Sequence, residues 1–364
     1  MMYSQQQKLC ILFGERLVPS KKFFQIVDLF ENIDELLSSF GNSKQIADIL
    51  GNSYNDLLKD IKQNAADKII AEMTANNVYA VTWYCKDYPE TLRDIDEPPY
   101  VLFCKGNINL LSDSNCLAIV GTRKVSSYGK RAATDFARIL CEHFVIVSGL
   151  AYGVDSLAHE TTLKENGKTI AVLGSGILNI YPATNENLAE RIVHNKGLVV
   201  SEYGLRENPM PYHFPHRNRI VAGLSRGLLV CQAPKKSGTL STVELALEQG
   251  KDIFVVPGEI YDSGFAGSNT LIKSMQGACV TTPRDIEDYY GLYSEPVKKQ
   301  AVQLTFDEQK IVDLLSSGAK TFDQIVIETQ ITPSELNFLL ANLELRSIIA
   351  RLSGNLYRLY GGIE

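Results

Sequence analysis

Between Phe214 and Ser225 the chain reads FPHRNRIVAGLS, which sets two arginines and an asparagine beside an aromatic ring. A guanidinium is a planar fork that grips phosphate through two N–H groups, and a phenyl face stacks a splayed base, so the combination suits single-stranded nucleic acid. The run is the densest part of a cationic window. Residues 206 to 236 hold Arg206, Arg217, Arg219, Arg226, Lys235 and Lys236 against one acid, Glu207, in a chain of net charge -6. A negative overall balance is compatible with a local basic groove, because focusing depends on how charge is distributed. The same window also fits an amphipathic helix start whose arginines bridge to surface carboxylates.

The elements that must position these residues are apolar runs alternating with helical patterns. LAIVG (117 to 121), FVIVSG (144 to 149), TIAVLG (169 to 174), LVVSE (198 to 202), GLLVCQA (227 to 233) and DIFVVPG (252 to 258) read as strands buried on both faces of a parallel sheet. Most run into glycine at their carboxyl ends: Gly121 before Thr122 and Arg123, Gly149 and Gly153, Gly174 and Gly176, Gly238 just past Lys236 and Ser237, and Gly258. In open α/β sheets that edge binds ligands, since glycines admit close backbone approach and helix N-termini favour anions. With Arg123, Lys124, Lys130 and Arg131 also beside it, the edge is expected to hold phosphate.

Other chemistries find less support. No GxGxxG follows the first strand and no GxxxxGK[ST] occurs, so neither a dinucleotide fingerprint nor a P-loop is present. Asp155 and His159 fall four apart on one helix face, where they could act as acid and base or join His213 and His216 at a metal. The commoner reading is a helix-start aspartate that caps backbone amides with a histidine packed behind it. Neither a cofactor nor a metal is expected.

The length of 364 residues suits two or three domains of roughly 100 to 200 residues each. Residues 1–75 read as a small helical module, 76–292 as a doubly wound α/β domain, and the polar stretch LYSEPVKKQA from 292 as a linker to a third domain at 303–364. Seven cysteines without a CxxC pair argue against a disulfide framework or a cysteine-rich zinc site. The N-terminal apolar run is shorter than a signal-peptide core, and no later run approaches the roughly 18 apolar residues of a membrane span. A cytoplasmic protein without membrane contact is expected.

The central domain resembles the DprA/Smf family, the bacterial DNA-processing proteins of natural transformation. The likeness runs through AIVGTRKVSSYG (118 to 129), VSGLAYGVDSLAH (147 to 159), AVLGSGILNIYP (171 to 182), SEYG (201 to 204), FPHRNRIVAGLS, KSGTLSTVELALEQG (236 to 250), VVPGEI (255 to 260) and SNTLIKSMQGA (268 to 278). It implies a Rossmann-like central domain between an N-terminal SAM-like helical module and a C-terminal winged helix. It further implies a homodimer that binds and protects single-stranded DNA, without catalysis, and loads it with the recombinase RecA; single-strand-binding protein is a further candidate partner. On matching positions the contacts would come from Arg123, Phe214, Arg217, Asn218, Arg219, Lys236 and the amides of Ser237 and Gly238. Ala183 stands where some relatives carry a basic contact residue, and Ser268-Asn269 where a Cys-Asn or Cys-His pair is expected.

Two other functions remain open on sequence grounds. Ser237 to Glu244 resembles a degenerate PGGxGTxxE motif of phosphoribohydrolases in the lysine-decarboxylase-like superfamily, with Glu244 in the glutamate's place, although Ser241-x-x-Glu244 also fits a capping box. A nucleotide-sensing module would use the same glycine edge. Helices at 321 to 330 and 334 to 345 with the strand pair IIARLS and NLYRLY read as a winged helix, yet residues 303–364 carry five Lys/Arg against eight Asp/Glu. Such an acidic domain suits protein binding better than DNA. Dimer contact is expected in the central domain, with Leu271, Ile272 and Met275 serving equally well as interface or core.

Overall fold

A computed structural model describes residues 2–292, 304–346, 348–352 and 355–359. The linker expected at 292 to 301 therefore lies, after Leu292, outside the described residues. The chain enters α1 (Gln5–Glu15) through a capping box, in which the Ser4 hydroxyl accepts from the Gln7 amide and the Gln7 side chain accepts from the Ser4 amide. Five short helices follow: α2 (Ser20–Val27), α3 (Ile33–Ser39), α4 (Lys44–Leu50), α5 (Tyr54–Lys62) and α6 (Ala65–Ala75). Their shared core is aromatic, with Phe13 edge-on to Phe23 at 5.9 Å and to Phe40 at 6.2 Å. That core continues into the sheet: Phe23 stacks on Tyr100 at 4.0 Å, and the Tyr100 hydroxyl donates to the Val18 carbonyl. Compact units span Met1–Tyr293 and Ser294–Glu364, so the N-terminal helices share one body with the sheet.

The sheet has nine strands: β1 (Tyr79–Thr82), β2 (Val101–Gly106), β3 (Cys116–Gly121), β4 (Val145–Ser148), β5 (Thr169–Val172), β6 (Leu198–Ser201), β7 (Gly227–Gln232), β8 (Asp252–Val255) and β9 (Ala278–Cys279). Their order is β1-β2-β6-β5-β4-β3-β7-β8-β9. The six runs read from sequence form the parallel centre, β3 to β8. β1 and β2 extend one edge antiparallel, which sequence reading did not anticipate. Side chains alternate between two covered faces: Cys116, Ala118 and Val120 enter one core, Leu117 and Ile119 the other. One face is covered by α7 (Ser127–Leu140), α8 (Val154–Lys164) and α13 (Pro283–Tyr289), the other by α10 (His213–Gly223), α11 (Gly238–Glu248) and α12 (Ala266–Lys273). Near β6, α9 (Glu186–His194) packs into the core that α1 shares.

From β3 the chain adds β4, β5 and β6 on one side, then returns to place β7 and β8 on the other. The switch point lies between the carboxyl ends of β3 and β7, where a crevice opens. The Thr122 amide there donates to the Gln232 carbonyl, and the register shifts between Val120 and Gly121.

The second unit holds α14 (Phe306–Ser316), β10 (Lys320–Thr321), α15 (Phe322–Thr329), α16 (Pro333–Leu345), β11 (Ile349–Leu352) and β12 (Leu356–Leu359). Its three strands run β10-β12-β11 beside a core that includes Ile311, Ile325, Leu336 and Leu343. Helix, strand, two helices and a strand pair make a winged helix. Among the described residues no helix is long and apolar enough to cross a membrane.

Candidate nucleic-acid interface

At the switch point is a cleft of about 850 Å³, built from strand-to-helix connections and one face of α10. The β3–α7 connection contributes Gly121, Thr122, Arg123 and Lys124; β4–α8 contributes Gly149 and Ala151; β7–α11 contributes Lys236, Ser237 and Gly238. From α10 come Phe214, Arg217, Asn218 and Val221, at spacings of three and four that share one helix face. Arg123, Lys124, Lys235 and Lys236 are exposed and make no ion pair among the described residues. The Arg123 guanidinium lies 5.5 Å above the Phe214 ring, and Tyr181 packs against the same ring at 5.4 Å.

The expected glycines divide into two kinds. At Gly121 the space a side chain would occupy is taken by Val154, at Gly149 by the Arg217 guanidinium and Asp155, and at Gly174 by the Phe214 ring. Gly153 has φ +80 and abuts the Thr122 carbonyl, so the connection itself requires glycine. These four let protein groups pack closely. Gly238 differs: nothing lies within 4 Å of a side chain placed there, so its open backbone faces the cleft. It begins α11, whose cap is the Ser237 hydroxyl accepting from the Thr239 amide at 3.2 Å. First-turn amides of a helix have no intrahelical acceptor, which suits an anion.

The arginines of the FPHRNR run do not act together. Arg217 is 4% exposed and donates through Nη1 to the carbonyls of Gly149 and Val172, while its Nε donates to the Asn218 side chain at 3.2 Å. It therefore braces the carboxyl ends of β4 and β5 from the cleft wall. Arg219, expected among the phosphate contacts, does not line the cleft. Two residues on, it sits about 200° around the helix. There it forms a two-pronged pair with Glu202 at 2.6 and 2.5 Å and donates to the Glu97 carbonyl at 3.0 Å. Burial works to raise the pKa of Glu202, but Arg219 and His216 overcome it and hold it down at about 2. The strand-end position of Glu202 in SEYG is the sequence signal for this pair.

Asp155 and His159 follow the packing pattern. Asp155 accepts from the amides of Gly149 and Ala151 at 3.2 and 3.3 Å; burial pushes its carboxyl up, and Arg217 and the amides oppose that. The His159 Nδ1 meets the Thr169 hydroxyl at 2.7 Å, and burial, with Arg217 adding, lowers its pKa to about 3. Among the described residues no three His, Cys, Asp or Glu side chains gather as a metal site. Glu244 is exposed on α11 and does not line the cleft. Two contributors escaped sequence reading. Tyr181 was seen only as part of a motif, and Gln232 accepts from the Ser126 amide and hydroxyl, fixing the start of α7. A polar residue ending an otherwise apolar strand was the available signal.

Residues 79–291 match the family described as DNA recombination-mediator protein A, and residues 295–355 match the DprA winged helix domain. The chain is similar to protein Smf of Escherichia coli, 38% identical over 283 residues and 75% of each chain. It is also similar to the DNA processing protein DprA of Streptococcus pneumoniae, 44% identical over 200 residues, 55% of this chain and 70% of the relative. The X-ray structure of DprA from Streptococcus pneumoniae superposes with a TM-score of 0.63 at 33% identity, covering 79% of this chain and 98% of that one. A Helicobacter pylori DprA structure, described by its single-stranded DNA binding mode, superposes at 0.53 and 32% identity over 60% of this chain and 97% of that one. With this fold, these motifs and these matches, the chain belongs to the DprA/Smf family of DNA-processing proteins.

Proposed function

We propose that the chain binds single-stranded DNA in the switch-point cleft, protects it and loads RecA onto it, without catalysis. The observation that carries the reading is the set of exposed cations that make no ion pair among the described residues: Arg123, Lys124 and Lys236 line the cleft, Arg123 lies over the Phe214 ring, and Lys235 adjoins Lys236 in the chain. Cations without carboxylate partners keep their charge available for phosphate, and an aromatic face takes bases of any sequence. The family description as a recombination mediator and the binding mode named for the Helicobacter pylori relative support the same reading. Single-strand-binding protein would be met on the same strands.

A homodimer would add avidity on one strand by raising the effective concentration of the second site. On α12, Leu271 is buried in the core, while Met275, just past the helix end, is 93% exposed and free to take part in such a contact. The test pairs two measurements. Titration of labelled single- and double-stranded oligonucleotides should show tighter single-strand binding, and strand exchange by RecA on strands coated with single-strand-binding protein should accelerate when this protein is added. Equal or tighter duplex binding overturns the ligand; absent acceleration with single-strand binding intact overturns the loading role and leaves a protective one.

A further inference from the structure

We propose that the DNA strand leaves the switch-point cleft over a second cation–aromatic station, Arg131 above Tyr128 at the start of α7, which takes a further phosphate and so lengthens the site. The proposal rests on the single-strand reading above and adds a contact outside the cleft, since neither residue lines it. Tyr128 and Arg131 lie three apart on one face of α7, and the Arg131 guanidinium sits 5.9 Å above the Tyr128 ring. Both side chains are exposed. The pair repeats the arrangement of Arg123 over Phe214 in the cleft. Elsewhere among the described residues the cation over a ring is tied to a further partner: Arg93 to Glu90, Arg226 to Asn115, Lys310 to Asp307 and Arg351 to Asn355. Arg123 and Arg131 make neither an ion pair nor a hydrogen bond among the described residues.

Contacts join the station to the cleft wall step by step. Ser263 and Gly264, in the connection after β8, line the cleft, and the next residue, Phe265, packs against the Tyr128 ring at 5.4 Å. The Tyr128 hydroxyl donates to the Pro257 carbonyl of the same connection at 3.0 Å, which fixes the ring under its arginine. Two residues earlier, the Ser126 amide and hydroxyl both donate to the Gln232 side chain, whose amide group fills the space that a side chain on Gly264 would need. The start of α7 and the cleft wall thus form one surface. From Thr122 to Thr134 the chain carries Arg123, Lys124, Lys130 and Arg131 and no acid. Asp135, one turn past Arg131, is half-buried; burial pushes its carboxyl up, opposed first by Arg138 and then by Arg131. Arg131 therefore keeps its charge for a phosphate, and a cation already held over an anchored ring spares part of the cost of ordering a long side chain on binding.

The experiment titrates the full chain with thymidine oligonucleotides of about 4 and about 16 nucleotides, the span of lengths that single-strand sites cover. Arg131→Ala and Tyr128→Leu should each weaken binding of the long strand about fivefold and of the short one less than about twofold. On the long strand alone, Arg131→Ala should flatten the slope of log K against log salt by about 0.7, and Arg131→Lys should restore it. Arg123→Ala should lose on both lengths. Lys164→Ala, at the far end of α8 and so at the opposite edge of the sheet, should lose on neither. Unchanged long-strand affinity in both station variants, equal losses on both lengths, or a loss in Lys164→Ala as large as that in Arg131→Ala overturns the station. If the wild type binds neither strand, the single-strand reading itself fails, and the station with it.

Discussion

Helix α10 and the loops flanking the switch point both carry cations, yet they use them oppositely. Arg217 and Arg219 are each 4% exposed and donate to carbonyls and to Glu202, whereas Arg123, Lys124, Lys235 and Lys236 are exposed and make no ion pair among the described residues. A buried guanidinium that donates to protein carbonyls or a carboxylate is a brace, and removing it leaves those partners unsatisfied. An exposed one adds little to the fold and keeps its charge for a ligand. Clustering of arginine in sequence therefore does not tell a brace from a cation left exposed.

The sharpest way to break that comparison is to remove a brace. Arg219→Ala leaves Glu202 buried with only His216 beside it, and unfolding free energy should fall by ~3–5 kcal/mol in denaturant titration. A change below about 1 kcal/mol would place Arg219 with the ligand-facing cations. Acid should act next most strongly, through His159, which stands behind Arg217. Its folded pKa of about 3 lies below the unfolded value, so the unfolded chain takes up the proton first, and stability is lost as pH falls from about 6.5 toward 3. Between pH 6.5 and 5 this amounts to about 2 kcal/mol, and His159→Gln should flatten that limb of the stability curve. His216 runs the other way: its bond to Glu202 raises its pKa, so its contribution is present at low pH and lost as pH rises through the folded value.

Gly238→Ala tests the ligand side with the fold held constant. Its added methyl meets nothing within 4 Å and alanine suits a helix better, so the melting temperature should hold or rise slightly while single-strand affinity falls several-fold. Unchanged affinity would mean that no phosphate approaches the start of α11. The smallest effect is expected from removing residues 303–364, which should shift single-strand affinity less than about threefold because that segment is acidic. A larger loss, in a truncated protein that stays folded, would give the winged helix a part in DNA binding.

The parallel centre of the sheet was legible because strands covered on both faces leave uninterrupted apolar runs such as LAIVG and GLLVCQ. β1 and β2 were not: β1 pairs antiparallel with β2 and β2 antiparallel with β6, at the edge where the N-terminal helices pack through contacts such as Phe23 on Tyr100. Within the site, spacing identified the α10 run but did not separate Arg217 from Arg219, whose opposite directions follow from a two-residue step on a helix. The partner that holds Arg219, Glu202, lies seventeen residues away, just past the end of β6, and the fold brings helix and strand end together. The glycines were legible as an edge, but their use was not. Whether a glycine admits a ligand or a neighbouring side chain depends on what packs above it, as Gly174 under Phe214 and the open Gly238 show.

The most direct test is the salt dependence of single-strand affinity, measured for the wild type, Arg123→Ala and the Arg123→Ala/Lys236→Ala double variant. Each phosphate contact on a single strand contributes about 0.7 to the slope of log K against log salt, so the slope should flatten by about 0.7 and then about 1.4 while melting temperatures stay unchanged. Identical slopes in all three folded proteins would contradict the account, because the exposed cations of the switch point would then not be what holds the strand.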